Sequence, residues 1–146
     1  MAEVKYESKI SKSSAEAESI YAVLSDLSNI EKVQSMIPQD KIKEMESERD
    51  FVRFKVDGLG QKICIRIVDR EPLKTVKFGV EGAPVTANLW IQMKQVEEHD
   101  TRLRLTVKAD LPMMFKMMLD KKIQEGLDQA ADMLAQMPFD EWSKNS

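Results

Sequence analysis

The chain has 146 residues, of which 42% are hydrophobic and 32% charged, with a formal net charge of −3. That size and balance describe one globular domain rather than a disordered segment, and carry no overall basic signature for nucleic acid. One cysteine excludes an intrachain disulfide and one histidine excludes a clustered Cys/His zinc site.

The first segment alternates: Val4, Tyr6, Ser8 and Ile10 share one face, with Glu3, Lys5, Glu7 and Lys9 on the other, as in a strand with one wet side. Ser13 with Glu16 and Ser28 with Glu31 fit the S-x-x-E capping box, so two helix starts are expected. Ala17, Ile20, Tyr21, Leu24 and Leu27 keep helical spacing, and Pro38 limits the second helix to a short one. From Ile42 onward the period is two, with strands predicted near 42–48, 51–58, 61–69, 74–81, 85–96 and 101–110. Their separators are turn chemistry, Asp57-Gly58-Leu59-Gly60, Glu71-Pro72, Gly82-Ala83-Pro84 and Glu97-Glu98-His99-Asp100. Such short connections require antiparallel neighbours.

Pro112 opens a long terminal helix whose apolar face runs Phe115, Leu119, Ile123, Gly126, Leu127, Ala130, Leu134 and Met137, ending before Pro138. Its length suffices to cross a seven-stranded sheet, and Gly126 suggests a close approach to that sheet. Residues 1–138 form the domain, and 139–146 read as a flexible C-terminal tail. The start, MAEVKYESKI, lacks the apolar core of a secretory signal, and no stretch reaches the length of a bilayer span, so a cytoplasmic location is expected.

The order of one strand, two short helices, six antiparallel strands and one long helix resembles the helix-grip fold of the START and polyketide-cyclase-like (SRPBCC) superfamily. The stretch from Ser14 to Asn29 is similar to its first-helix segment, and the run from Met113 through Gly126 to Leu134 to its closing helix. The resemblance implies an α+β domain whose seven-stranded curved antiparallel sheet wraps the terminal helix around a cavity for lipids, polyketides or other apolar molecules.

The candidate cavity wall is then Phe54, Ile65, Phe78, Leu89, Met93 and Leu105 from the inward strand rows, with Phe115, Met118 and Leu119 from the helix. Tyr6 and Tyr21 are its candidate polar anchors, since a buried phenol needs a partner. Six of the ten methionines lie in the terminal helix, where a pliable thioether suits a deformable ligand wall. No catalytic residue, cofactor or metal is implied: the inward rows hold no ionisable group beyond tyrosine, His99 falls in a charged turn, and Cys64 has no histidine nearby in sequence. Binding of a small apolar ligand is therefore the leading expectation, and a cyclase- or aromatase-type enzyme ranks third and last.

The second expectation, a protein–protein regulatory module, concerns the other sheet face. Strand parity gathers Lys5, Lys9, Arg53, Lys55, Arg66, Lys77, Lys94, Arg102, Arg104 and Lys108 there, against Glu3, Glu7, Asp57, Glu81 and Asp110. Arg53, Arg66, Trp90, Arg102 and Arg104 are its candidate contacts for an acidic protein partner, with Trp90 placed to stack under Arg104 or Lys108.

Overall fold

Alternating residues form the strands expected of them in a computed structural model that describes residues 2–36, 42–56, 62–82 and 86–144. The strands are β1 Ala2–Glu7, β2 Ser11–Ser13, β3 Ile42–Ser47, β4 Phe51–Val56, β5 Lys62–Glu71, β6 Thr75–Glu81, β7 Ala87–Glu97 and β8 Asp100–Leu111. Between β2 and β3 lie helix α1, Ala17–Leu24, and a 3₁₀ stretch, Leu27–Met36; after β8 come α2, Met113–Gln136, and α3, Phe139–Lys144. The sheet order is β1-β8-β7-β6-β5-β4-β3, with β2 also paired to β8. All these pairings are antiparallel. Pro38, the turn Asp57–Gly60, Ala83-Pro84 and the side chain of Phe115 lie outside the described residues.

The first strand differs from its expectation in one respect that redirects the chain. Glu7 faces Thr106 and Ser11 faces Leu103, so residues 8–10 on one side span residues 104–105 on the other. That extra residue is a bulge, and it inverts the parity that follows. Ile10, expected inward, is exposed, whereas Ser11 and Ser13 are buried. Ser8 secures the bulge: its N–H donates to the Leu105 carbonyl (2.8 Å), and its Oγ accepts the Leu105 N–H (2.9 Å). Ser11 Oγ then donates to the Ala131 carbonyl of α2 (2.9 Å), tying the redirected strand to the helix.

Neither capping box forms. Ser13 belongs to β2 and its Oγ accepts the Ala15 N–H, so α1 begins later, at Ala17. The free amides of Glu16 and Ala17 find partners from distant segments, Asp140 Oδ1 (3.1 Å) and Gln95 Oε1 (2.9 Å). Ahead of the 3₁₀ stretch the acceptor is Asp26, whose Oδ1 takes the Ser28 N–H (3.0 Å).

Helix α2 packs on β1, β2 and β8 rather than across the whole sheet. Leu127 and Ala131 are its buried line, flanked by Ile123, Ala130, Leu134 and Met137. Gly126 lies on the exposed side with no atom near where a Cβ would stand, so close approach is not its reason. The inner face of the remaining strands is covered by α1, which packs on β6 and β7, and by the 3₁₀ stretch against β3 and β4.

Residues 139–144, expected to fray, form helix α3 packed on α1. Phe139 is 0% exposed and meets Trp142 edge-on at 5.8 Å between ring centroids. Burying Phe139, with Trp142 half-buried against it, offsets the entropy of ordering this short helix.

Candidate functional site

Between α1, α3, the end of α2 and the sheet there is an open-mouthed apolar cavity of about 240 Å³. Its floor is Ile65 of β5, Phe78 of β6, and Leu89 and Ile91 of β7. Strand parity turns these side chains inward, and the antiparallel register sets Phe78 directly opposite Leu89. Val23 and Leu24 of α1 and Leu27 and Ile30 of the 3₁₀ stretch form one wall, with Leu134 and Met137 of α2 and Phe139 and Trp142 of α3 opposite.

Asp26 and Asn29 are the polar members of the lining, and both are committed to local structure. Asp26 Oδ1 accepts the Ser28 N–H and its hydroxyl, at 3.0 and 2.5 Å. Asn29 Nδ2 donates to the Val23 carbonyl at 3.2 Å. Shape and apolar contact, rather than a directed hydrogen bond, are what this space offers an occupant.

Of the expected wall, Ile65, Phe78 and Leu89 meet at the cavity, and the other described members lie elsewhere. Met93 and Leu105 are buried in the core on the same sheet face; Phe54 is half-buried on β4; Tyr21 and Leu119 are half-buried. Met118 is exposed to solvent on α2, with Met113, Met114 and Met117, so the methionine-rich turns are not a lid over this cavity. The reason is the lateral position of α2: the helix presents its C-terminal end, not its start, to the open part of the sheet. Phe139 and Trp142 escape a sequence reading that ends the domain at Pro138, although an aromatic pair three residues apart is a packing signal.

Tyr6 is not the cavity's polar anchor. Its hydroxyl donates to Asp120 of α2, whose other carboxylate oxygen accepts from Lys116 Nζ (3.3 Å). Burial first, then the hydrogen bond to and the charge of Asp120, push the phenol up to about 12, so it stays neutral at physiological pH. The Tyr6 and Lys116 hydrogen bonds hold Asp120 below the usual carboxylate range. This polar chain joins β1 to α2 outside the cavity.

On the opposite sheet face the four candidate arginines are engaged within the chain. Arg53 reaches Glu46 (3.9 Å) and Arg66 reaches Glu81 (3.4 Å), and both guanidinium groups lie over the Phe51 ring. Arg102 grips Asp100 through two hydrogen bonds of 2.8 and 3.1 Å. Arg104 donates to Gln92 and pairs with Glu7 (3.4 Å), leaving Trp90 to Lys77 and Lys108 at 5.0 and 5.7 Å from its ring centroid. Intrachain pairing of this kind does not support an acidic protein partner for Arg53, Arg66, Arg102 and Arg104. His99 is exposed, with Nδ1 3.2 Å from Glu16. Among the described residues no cluster of His, Cys, Asp and Glu could hold a metal ion, and no helix is long and apolar enough to cross a membrane.

No family model and no curated protein matches the chain. Solved structures do. Norcoclaurine synthase from Thalictrum flavum aligns at a TM-score of 0.69 and 15% identity, over 92% of this chain and 86% of that one. A conserved protein from Geobacillus kaustophilus gives 0.67 and 17%, over 94% and 96%. A START superfamily protein from Mycobacterium smegmatis gives 0.58 and 15%, over 92% and 97%. The chain has the START/SRPBCC-like helix-grip fold. Within this helix-grip domain the long helix holds the β1–β2–β8 side of the sheet, and the cavity opens beside it under α1 and α3.

Proposed function

We propose that this protein binds a small apolar molecule, a one- or two-ring aromatic or a short acyl chain, in the cavity floored by Ile65, Phe78, Leu89 and Ile91. The observation that carries this reading is a preformed cavity whose polar members, Asp26 and Asn29, are already bonded to their own backbone. Fold neighbours point the same way: a norcoclaurine synthase structure, aligned at a TM-score of 0.67 and 12% identity, holds dopamine and hydroxybenzaldehyde. Binding rather than turnover is the reading because Asp26, the single titratable residue among the described residues of the lining, already takes two hydrogen bonds from Ser28 on one oxygen and has no second ionisable group beside it there.

Volume limits the occupant. At about 240 Å³ the space falls below the roughly 300–1,000 Å³ of drug-sized pockets, yet exceeds the roughly 150 Å³ cavity that admits benzene. A buried aromatic ring covering about 150 Å² gains roughly 4 kcal/mol at 25 cal/mol per Å², which corresponds to a Kd near 1 mM. A second fused ring should tighten binding further, whereas a tetracyclic sterol should protrude through the mouth.

Naphthalene titration followed by methyl NMR tests the proposal. The methyl groups of Ile65, Leu89, Ile91 and Leu134 should shift while those of Val4 and Leu103 stay fixed, and Leu89→Trp, which fills the space, should abolish the response. Unmoved cavity methyls, or unchanged binding to a folded Leu89→Trp variant, would count against it.

A further inference from the structure

The first two turns of α2 carry a feature that packing does not explain. Met113, Met114, Met117 and Met118 are 63, 73, 82 and 66% exposed. Among the described side chains, every large exposed hydrophobic residue of α2 is a methionine, Met133 being the fifth. In the same turns Asp120 accepts the Tyr6 hydroxyl and pairs with Lys116, so this helix end is tied to β1 while the four thioethers stay exposed.

We propose that these four methionines form a binding site for a soft monovalent metal ion, Cu(I) or its analogue Ag(I). Helical geometry brings the sulfur atoms within reach of one another. Met113 with Met117, and Met114 with Met118, are one turn apart, which sets their Cβ atoms roughly 5–6 Å from each other. At 100° per residue the four side chains span an arc of about 140°. Three rotatable bonds let each thioether turn toward a shared ion without moving the backbone.

The donor chemistry selects the metal. Thioether sulfur is a soft, uncharged ligand that suits Cu(I), whereas Mg²⁺, Ca²⁺ and Mn²⁺ need carboxylate or carbonyl oxygen. No His, Cys, Asp and Glu cluster capable of holding a metal occurs among the described residues, so this set offers sulfur without a competing hard site. Replacing these methionines by leucine would preserve helix propensity and apolar bulk, so only the sulfur chemistry distinguishes the two.

Cys64 is the competing soft donor, and although buried it must be removed from the comparison. Ag(I), which needs no reductant, is titrated into the full chain and into Cys64→Ala, with calorimetry and NMR of the methionine ε-methyl groups. The expected result in Cys64→Ala is about one equivalent bound, with four methyl resonances shifting together and those of Met93 and Met133 unmoved. Adding Met114→Leu and Met118→Leu should weaken binding by at least about tenfold, since even outer-shell changes at metal sites cost that much; adding Met133→Leu should not. The proposal is overturned if Ag(I) binding disappears with Cys64→Ala alone, or persists at full affinity in the folded Met114→Leu/Met118→Leu variant.

Discussion

Phe139→Ala probes the docking of the C-terminal segment, the largest departure from the expected tail. Phe139 is 0% exposed, packs edge-on against Trp142, and closes one end of the cavity. Truncating a buried phenylalanine costs about 3–5 kcal/mol, including about 0.5–1.5 kcal/mol from an aromatic pair. Part of its ring already borders empty space, so fewer contacts are lost than in a closed core, and about 3 kcal/mol is expected. For a chain of this length that loss corresponds to a fall in Tm of roughly 10 °C. Urea unfolding followed by far-UV circular dichroism should show a lower midpoint with an unchanged slope. Trp142→Ala, at a half-buried position, should cost less. A loss below about 1 kcal/mol for Phe139→Ala would mean that α3 adds nothing to the fold, and would also remove one wall of the proposed site.

Gly126→Ala should stabilise the protein by about 0.5–1 kcal/mol in the same assay, because a helix-interior glycine with open space around it carries only an entropic cost. Stability should fall as pH rises from 10 through about 12: in that window an unfolded chain releases the Tyr6 proton that the folded chain retains. Tyr6→Phe should flatten this alkaline slope in unfolding measurements made across that range. At the acid end, the Arg102 hydrogen bonds first, and Lys12 as well, hold Asp100 below the ordinary aspartate value of 3.8. The stability this contributes is present above that value and is lost as pH falls through the depressed one. Arg102→Ala should therefore lower the urea midpoint at neutral pH and reduce its dependence on pH in the acid range.

The sheet was legible because alternation is a local signal that burial on one face reinforces. Val76, Phe78, Leu89, Ile91, Leu103 and Leu105 all point where a period of two places them, and three of the proposed wall residues reach the cavity for that reason. The helices were legible as segments but not at their starts. Ser13 and Ser28 sit in a correct capping pattern, yet tertiary contacts supply Asp140 and Gln95 at the first start, and the local acceptor Asp26 serves the second.

What the sequence by itself determined is the antiparallel order of the strands, the long terminal helix and the segregation of apolar from charged faces, since each follows from periodicity and short connections. Only the tertiary structure decided the one-residue bulge at Ser8–Ile10, the sideways placement of α2 over β1, β2 and β8, and the docking of Phe139 and Trp142. Apart from α2 on the adjacent β8, these are relations between segments more than ninety residues apart. A chain's local pattern fixes which face of an element is apolar; which other element covers that face is set by the packing of the whole, and here that choice locates the cavity.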